Sequence, residues 1–207
     1  MAAINESMPL LPPPAKSGIT VNAKTALPVH IGTVGGYVGS AVVSVWLSSQ
    51  AGLLDRFLTA FFTGFGSIDR NQMLASTALL YAFTTYVFTS ANSIVGVALG
   101  SAGYHHDEPR HAKLFLTGLP YRLTASHQNL LEVFPIFALV AGLTAAQGPS
   151  SSLYHQGVTL LALHVFCKTI IFVPAYVKGL GVTRSAAHFI AIGALLGSLY
   201  QMTFSAQ

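Results

Sequence analysis

The sequence predicts an all-α integral membrane protein: a four-helix transmembrane bundle preceded by an amphipathic or membrane-associated N-terminal segment. Of the 207 residues, 52% are hydrophobic and only 8% are charged, whereas a soluble domain carries about 25% charged residues. Four apolar stretches are long enough to cross a bilayer as helices, and they lie at about 71–101, 122–146, 152–177 and 184–204. Together these observations indicate a multi-pass membrane protein.

The basic residues orient these four helices in the membrane. Arg110, Lys113 and Arg122 flank the first connection, and Lys178 and Arg184 flank the third. The second connection, QGPSSSLY, has no Lys or Arg. Because Lys and Arg are enriched in cytoplasmic loops, connections one and three are predicted to be cytoplasmic.

The chain divides into a tail at 1–28, a membrane-associated segment at 29–66 and the bundle at 67–207. The tail contains the run PLLPPPAKSG, whose consecutive prolines favour extended backbone, so we expect it to be disordered. Residues 29–54 contain no Asp, Glu, Lys or Arg but are rich in Gly and Ser, which makes their hydrophobicity marginal for a span. A further span at about 31–50 is the alternative, and it would place the tail on the cytoplasmic side.

The stretch AGLLDRFLTAFFTGFG predicts a helix that lies in the membrane interface. Its apolar residues recur in pairs every four positions and form one helix face: Leu53, Leu54, Phe57, Leu58, Phe61, Phe62 and then Phe65. The opposite face carries Asp55, Arg56, Thr59 and Thr63. A helix with one apolar and one polar face is typical of a segment that rests on a bilayer.

The helix at 122–146 begins with a polar stripe. Arg122, Ser126, Asn129 and Glu132 follow one another at spacings of four, three and three residues, so they share a helix face. Glu132 lies ~15 Å inside the start of this span. An acid at that depth costs several kcal/mol if it faces lipid, so we expect it to face protein or a wet cavity and to have a partner. The alternative is a hydrogen-bond cluster that only packs helices.

A second ionisable residue is predicted at the same depth on the next helix. Lys168 precedes Lys178 by ten residues, and Glu132 follows Arg122 by ten. Since two charges at one depth on adjacent helices suggest a pair, we expect Glu132 to pair with Lys168 or with a basic group of a neighbouring protomer. Arg184 and His188 would share a face at the cytoplasmic start of the last helix, which predicts a polar pocket suited to an anionic ligand.

Other site classes are disfavoured. The net charge is +4, but ten basic residues spread over the chain form no stripe for nucleic acid. The single cysteine, Cys167, excludes an internal disulfide and any CxxC site. The loop at 102–121 contains His105, His106 and His111 without a metal-ligand spacing, so a solvated loop is favoured and no metal is expected.

Two motifs resemble one membrane-protein family. HQNLLEVFPIF, from His127 to Phe137, resembles the N-x-x-E-x-x-P signature of the MAPEG family, the membrane-associated proteins in eicosanoid and glutathione metabolism. AYVKGLGVTRS, from Ala175 to Ser185, looks like that family's link into its last span. The resemblance covers about residues 70–207. It implies a four-helix protomer, a homotrimer and a glutathione site between protomers near the cytoplasmic face, in an endomembrane such as the endoplasmic reticulum of a eukaryote or in a bacterial inner membrane.

The resemblance also implies roles for individual residues. Asn129 and Glu132 would hold the backbone of glutathione as co-substrate, Tyr176 would lie in the pocket, and Arg184 and Ser185 would be the catalytic residues near the thiol. The full set of candidate glutathione-binding residues is Asn129, Glu132, Gln128, Arg122, Tyr176, His188 and Lys168.

The sequence departs from the family pattern at several positions. Ala125 and Gln128 stand where many active members have arginines, Phe172 where some have histidine, and His188 where an aromatic hydroxyl is found. Two functional hypotheses therefore remain. One is a glutathione-dependent transferase or peroxidase-like enzyme acting on a lipophilic small molecule. The other is a non-catalytic membrane protein that binds a lipid or a partner through the same bundle.

Overall fold

A computed structural model describes residues 23–49, 52–64, 72–100 and 112–204, and its regular elements in these ranges are helices. The principal helices are α1 (Ala23–Ser49), α2 (Leu53–Thr63), α3 (Met73–Phe83), α4 (Thr89–Ala98), α5 (Gly118–Ala146), α6 (Ser152–Phe166), α7 (Val173–Lys178) and α8 (Gly181–Phe204). Short π-helical segments join α3 to α4 and α6 to α7, so each pair forms one continuous rod. The predicted all-α membrane bundle is confirmed.

Five helical rods of the described chain are long and apolar enough to span a membrane. Four of them correspond to the predicted spans. The rod formed by α6 and α7 is the central one, because 72% of its most apolar 18-residue stretch is buried inside the protein, whereas the value for α8 is 39%. Its buried leucines, Leu160 and Leu161, pack in one core with Leu130, Phe137 and Leu195 from the neighbouring helices.

The fifth candidate span is Leu27–Ser48, within α1, and it favours the alternative that the sequence left open at 31–50. α1 packs along α8, and its small residues permit close approach. A Cβ added at Gly193 would lie 2.8 Å from the backbone nitrogen of Ala41, and one at Gly197 would lie 3.0 Å from Val45 Cγ2. The small-residue face of α8 is therefore the surface on which α1 docks.

The π-helical segment Cys167–Phe172 interrupts the central rod just before a proline. Pro174 has no N–H, so the carbonyl of Ile170 cannot receive the usual i→i−4 hydrogen bond. The N–H of Val173 instead bonds to the carbonyl of Lys168, five residues back. Such π segments are frequent at functional sites, and this one directs the side chains of Lys168 and Phe172 into the protein, where both are buried.

α2 is the predicted amphipathic helix, and it packs against the bundle. Leu58 and Phe62 are buried, and Phe57 and Phe61 meet the ring of Phe166 edge-on at 5.5 and 5.0 Å. The polar face is also engaged, since Asp55 Oδ1 accepts a hydrogen bond of 2.8 Å from the Thr159 hydroxyl of α6. The helix is thus fixed to the bundle through both faces.

Several predicted segments lie outside the described residues. They are residues 1–22 of the predicted tail, residue Phe65 at the end of the amphipathic pattern, and the part of the histidine-containing loop up to residue 111. α1 begins at Ala23, inside the segment predicted as tail.

Candidate functional site

A buried lysine lies at the centre of a hydrogen-bond network between α5 and α8. Lys168 is 0% exposed, and its Nζ donates to Asn129 Oδ1 at 2.7 Å and lies 2.7 Å from His188 Nδ1. The same nitrogen lies 4.1 Å from the centre of the Phe172 ring. An ammonium has three donors and no acceptor, and here it meets three electron-rich groups. Lys168 thereby ties α5 to α8 across the central rod.

The predicted pair between Glu132 and Lys168 is not a direct contact within the protomer. Glu132 is exposed, and its Oε1 accepts a hydrogen bond of 3.3 Å from Gln128 Nε2. Depth fixes the height of a residue along the bundle but not the direction in which it faces, and Asn129 is the α5 residue that reaches Lys168. Pairing of Glu132 with a neighbouring protomer stays a prediction.

A pocket of about 290 Å³ lies against the start of α8. We call it the Arg184 pocket, and its lining residues are Tyr37, Asn129, Phe172, Tyr176, Arg184, Ser185, His188 and Phe189. The Arg184 guanidinium carbon lies 4.6 Å from the centre of the Tyr176 ring. This cation–π contact holds the guanidinium at the wall of the pocket.

The short link between α7 and α8 explains why Tyr176 and Arg184 meet. Gly179 has φ of 76°, a left-handed conformation that glycine adopts without steric penalty. Its N–H bonds to the carbonyl of Tyr176, and the N–H of Leu180 bonds to that of Ala175. The chain therefore reverses within two residues and places the first turn of α8 beside the last turn of α7.

A second pocket, of about 350 Å³, adjoins the first. We call it the Glu132 pocket, and it is lined by Lys113, Tyr121, Thr124, Ala125, Gln128, Asn129, Glu132 and Tyr176. Asn129 and Tyr176 line both pockets. The two cavities are therefore neighbours with a shared wall, and Lys168 holds one side chain of that wall in place.

The structure brings together seven of the nine residues named from the sequence. Asn129, Tyr176, Arg184, Ser185 and His188 line the Arg184 pocket, and Gln128 and Glu132 line its neighbour. The other two, Arg122 and Lys168, line neither. Lys168 lies behind the wall.

Arg122 takes a different place. Its Nε donates to the carbonyl of Val177 at 2.9 Å, and its guanidinium lies 3.7 Å from the position of a Cβ at Gly179. In the protomer it fastens the α7–α8 link, which supports the pockets indirectly.

Sequence reasoning missed several lining residues, among them Lys113, Tyr121 and Tyr37. Lys113 and Tyr121 line the Glu132 pocket. Lys113 comes from the charged first connection and Tyr121 from the start of α5. The positive charge of Lys113 near a predicted pocket was the signal that could have identified it. Tyr37 comes from α1, and its hydroxyl lies 3.0 Å from His188 Nε2. No local pattern marks Tyr37, since its contacts are with residues far along the chain.

A comparison with family models decides the family. The model of the MAPEG family matches residues 74–204, which is more than half of the chain. The chain belongs to the MAPEG family. No curated protein and no solved structure matches it in the corresponding comparisons. The family and the candidate spans make this an integral membrane protein.

MAPEG membership supports a function in glutathione or eicosanoid chemistry at the level of the family. All nine candidate residues from the sequence lie inside the matched range, whereas α1 and Tyr37 lie before it. Within the described residues, no group of three His, Cys, Asp or Glu side chains could hold a metal ion.

Proposed function

We propose that this protein is a membrane-bound, glutathione-dependent transferase or peroxidase-like enzyme that acts on lipophilic substrates. The observation that carries the proposal is the convergence, in a MAPEG chain, of Arg184 and Ser185 on a pocket that adjoins a second one containing Glu132. As the resemblance to the MAPEG family implies, we expect a homotrimer, in which a neighbouring protomer closes the site.

The charges of the two pockets complement those of glutathione. The tripeptide carries two carboxylates, one ammonium group and one thiol. Glu132 offers an acceptor for the ammonium, and Lys113 offers a cation for a carboxylate. The amides of Gln128 and Asn129 can bond to the peptide groups, which leaves Arg184 for the thiol end.

The size of the site agrees with this assignment. Small-molecule sites usually measure about 300–1,000 Å³. Each pocket lies near the lower end of that range, with volumes of about 290 and 350 Å³, and they share Asn129 and Tyr176 as a wall. A tripeptide lying across the shared wall would occupy both.

Arg184 would supply the electrostatic component of catalysis. A free thiol has a pKa of about 8.5, and a neighbouring cation favours the thiolate. The thiol proton passes to water, and the thiolate sulfur attacks an electrophilic carbon. A sulfur–carbon bond forms, and the displaced electron pair leaves with the leaving group or moves to an acceptor atom that takes a proton from water. The guanidinium stabilises the sulfur before attack.

A lipid hydroperoxide would react through the same thiolate. The sulfur takes the terminal oxygen, the oxygen–oxygen bond breaks, and the alkoxide gains a proton to give the alcohol. A second glutathione then reduces the resulting sulfenic acid, releasing water and forming the disulfide. The apolar rings of Phe172 and Phe189 in the Arg184 pocket would contact the lipophilic reactant.

A second function is favoured by two observations. A more apolar groove of about 450 Å³ lies between α1 and α8, lined by Val38, Ala41, Val42, Val45, Leu196, Gly197 and Tyr200. Ala125 adds no cation to the Glu132 pocket, unlike the arginines of many active family members. A non-catalytic protein that binds a lipid along this groove is therefore the alternative.

Titration of the detergent-solubilised protein with glutathione separates the two functions. We expect glutathione to raise the thermal unfolding midpoint and to produce ultraviolet thiolate absorbance at neutral pH. Arg184→Ala should lose the thiolate signal because it removes the cation. Arg184→Lys should lose it as well, because lysine keeps a point charge but lacks the planar fork of donors. Arg56→Ala, which removes an exposed arginine from α2, is the matched control. Absence of binding and of thiolate in the wild type would favour the non-catalytic alternative.

A further inference from the structure

The helix that precedes the family match contributes a side chain to the Arg184 pocket. Tyr37 of α1 lines this pocket together with Arg184 and Ser185. Its ring packs edge-on against the rings of His188 and Phe189, at 5.9 and 4.8 Å between centres. The hydroxyl therefore has a defined position at the pocket wall.

Close packing fixes α1 at this height and rotation. A Cβ added at Gly36 would lie 3.1 Å from the Phe189 ring, directly beside Tyr37. One turn further along, the backbone of Ser40 and Ala41 touches the position of a Cβ at Gly193. Because glycine lets the two helix backbones approach closely, Tyr37 is held at the pocket by direct packing of α1 on α8.

The hydrogen-bond chain determines where the Tyr37 proton points. With Lys168 protonated, its Nζ can only donate, so His188 Nδ1, 2.7 Å away, accepts. A neutral imidazole then carries its proton on Nε2, which donates to the Tyr37 oxygen at 3.0 Å. The tautomer is thus assigned from the network. Since the phenol accepts from His188, its own proton is free to be donated elsewhere.

We propose that Tyr37 donates its phenolic hydrogen to the sulfur of glutathione in the Arg184 pocket, with His188 and Lys168 as the residues that position it. This proposal rests on the proposed function. The thiolate would then receive two contacts from one pocket: the Arg184 guanidinium and the Tyr37 hydroxyl. The fifth span is in this view a part of the active site that the four-helix bundle does not supply.

The test is the pH titration of bound glutathione, followed by thiolate absorbance in the full-length protein. Tyr37→Phe keeps the ring contacts and removes the hydroxyl. Losing one hydrogen bond to a charged group should raise the pH of half-ionisation by roughly one unit, so that thiolate falls about tenfold below the midpoint. Tyr86→Phe removes the hydroxyl of an exposed tyrosine that lines neither pocket, and it should titrate as the wild type does.

Further measurements on S-methylglutathione and on His188 variants separate positioning from folding. S-methylglutathione has no ionisable sulfur, so its affinity should be equal for the wild type and Tyr37→Phe, which also shows that the variant is folded. His188→Leu should shift the titration as Tyr37→Phe does, and the double variant should shift it no further. His188→Gln, whose amide can accept from Lys168 and donate to Tyr37, should retain most of the wild-type behaviour.

The outcomes distinguish this inference from the proposed function. If the wild type forms no thiolate with glutathione, the proposed function fails and the role of Tyr37 fails with it. If the wild type forms thiolate, Arg184→Ala abolishes it and Tyr37→Phe titrates like the wild type, the role of Tyr37 alone is overturned. Additive shifts of Tyr37→Phe and His188→Leu would also overturn it, because they would show that His188 does not act through the tyrosine.

Discussion

The ammonium of Lys168 lies 2.7 Å from the side-chain oxygen of Asn129, and this hydrogen bond connects the buried centre of the bundle to the wall between the two pockets. Lys168 is 0% exposed, whereas Asn129 lines both cavities. The amide is therefore held in one orientation, with its nitrogen free to donate to a ligand. The buried Lys168 thus shapes two pockets that it does not itself line.

Energetic coupling should follow this contact. Lys168→Met leaves the Asn129 oxygen without its donor, so the double-mutant cycle of Lys168→Met with Asn129→Leu should show coupling of roughly 0.5–3 kcal/mol in the free energy of unfolding. The cycle of Lys168→Met with Glu132→Gln should be additive within about 0.5 kcal/mol. Reversible unfolding in detergent measures both. Stronger coupling to Glu132 than to Asn129 would contradict the observed network.

Packing between α1 and α8 should be sensitive to a single methyl group. Gly193→Ala places a Cβ 2.8 Å from the backbone nitrogen of Ala41, and backbone cannot move aside locally. Overpacking of this kind typically costs about 1–3 kcal/mol. The thermal midpoint should fall, and glutathione ionisation should shift as in Tyr37→Phe, because α1 is displaced.

Gly39→Ala is the matched control for this substitution. Gly39 lies on α1, where a Cβ would meet no atom within 4 Å. Alanine is the better helix former by about 0.5–1 kcal/mol, so this variant should be as stable as the wild type or slightly more so. Equal effects of Gly193→Ala and Gly39→Ala would show that α1 does not dock on this face of α8.

The sequence was sufficient for four of the five candidate spans and for most residues of the candidate site, because hydrophobic length and two short motifs are local signals. It could not give the partner of Lys168, since depth does not determine which way a side chain faces. The π segment before Val173 also breaks the 3.6-residue phase from which such facing would be extrapolated. Tyr37 was missed because it meets His188 across 151 positions of the chain, and no local pattern records that contact.

Cysteine labelling should reveal how α2 sits on the bundle. In a Cys167→Ala background, Arg56→Cys should react with a water-soluble maleimide, because Arg56 is exposed. Leu58→Cys should not react, since Leu58 is 0% exposed. Phe57 is 51% exposed in the protein, so the labelling of Phe57→Cys shows whether water or lipid covers this face of α2. If the cysteine does not react with the maleimide in vesicles, lipid covers it, as expected for an interfacial helix.

Thr59 is a less useful position than its place on the polar face suggests. It is partly buried, and its hydroxyl lies 3.8 Å from the sulfur of Met73. Ready labelling of Leu58→Cys, at a rate close to that of Arg56→Cys, would contradict the packing of α2 against the bundle.

The sidedness of the N-terminus decides whether α1 crosses the membrane. Five spans put the two ends of the chain on opposite sides, and the positive-inside rule places the α7–α8 link in the cytoplasm. In sealed vesicles of one orientation, with Cys167→Ala as background, Asn5→Cys should therefore share its accessibility with Thr183→Cys, which lies beside that link. Ser150→Cys, in the uncharged turn between α5 and α6, should label from the other side. Permeabilised vesicles, in which all three react, supply the control.

If Asn5→Cys instead labels together with Ser150→Cys, α1 does not cross the bilayer. The contact between Tyr37 of α1 and His188 of α8 could then not be explained by two helices that span the same bilayer.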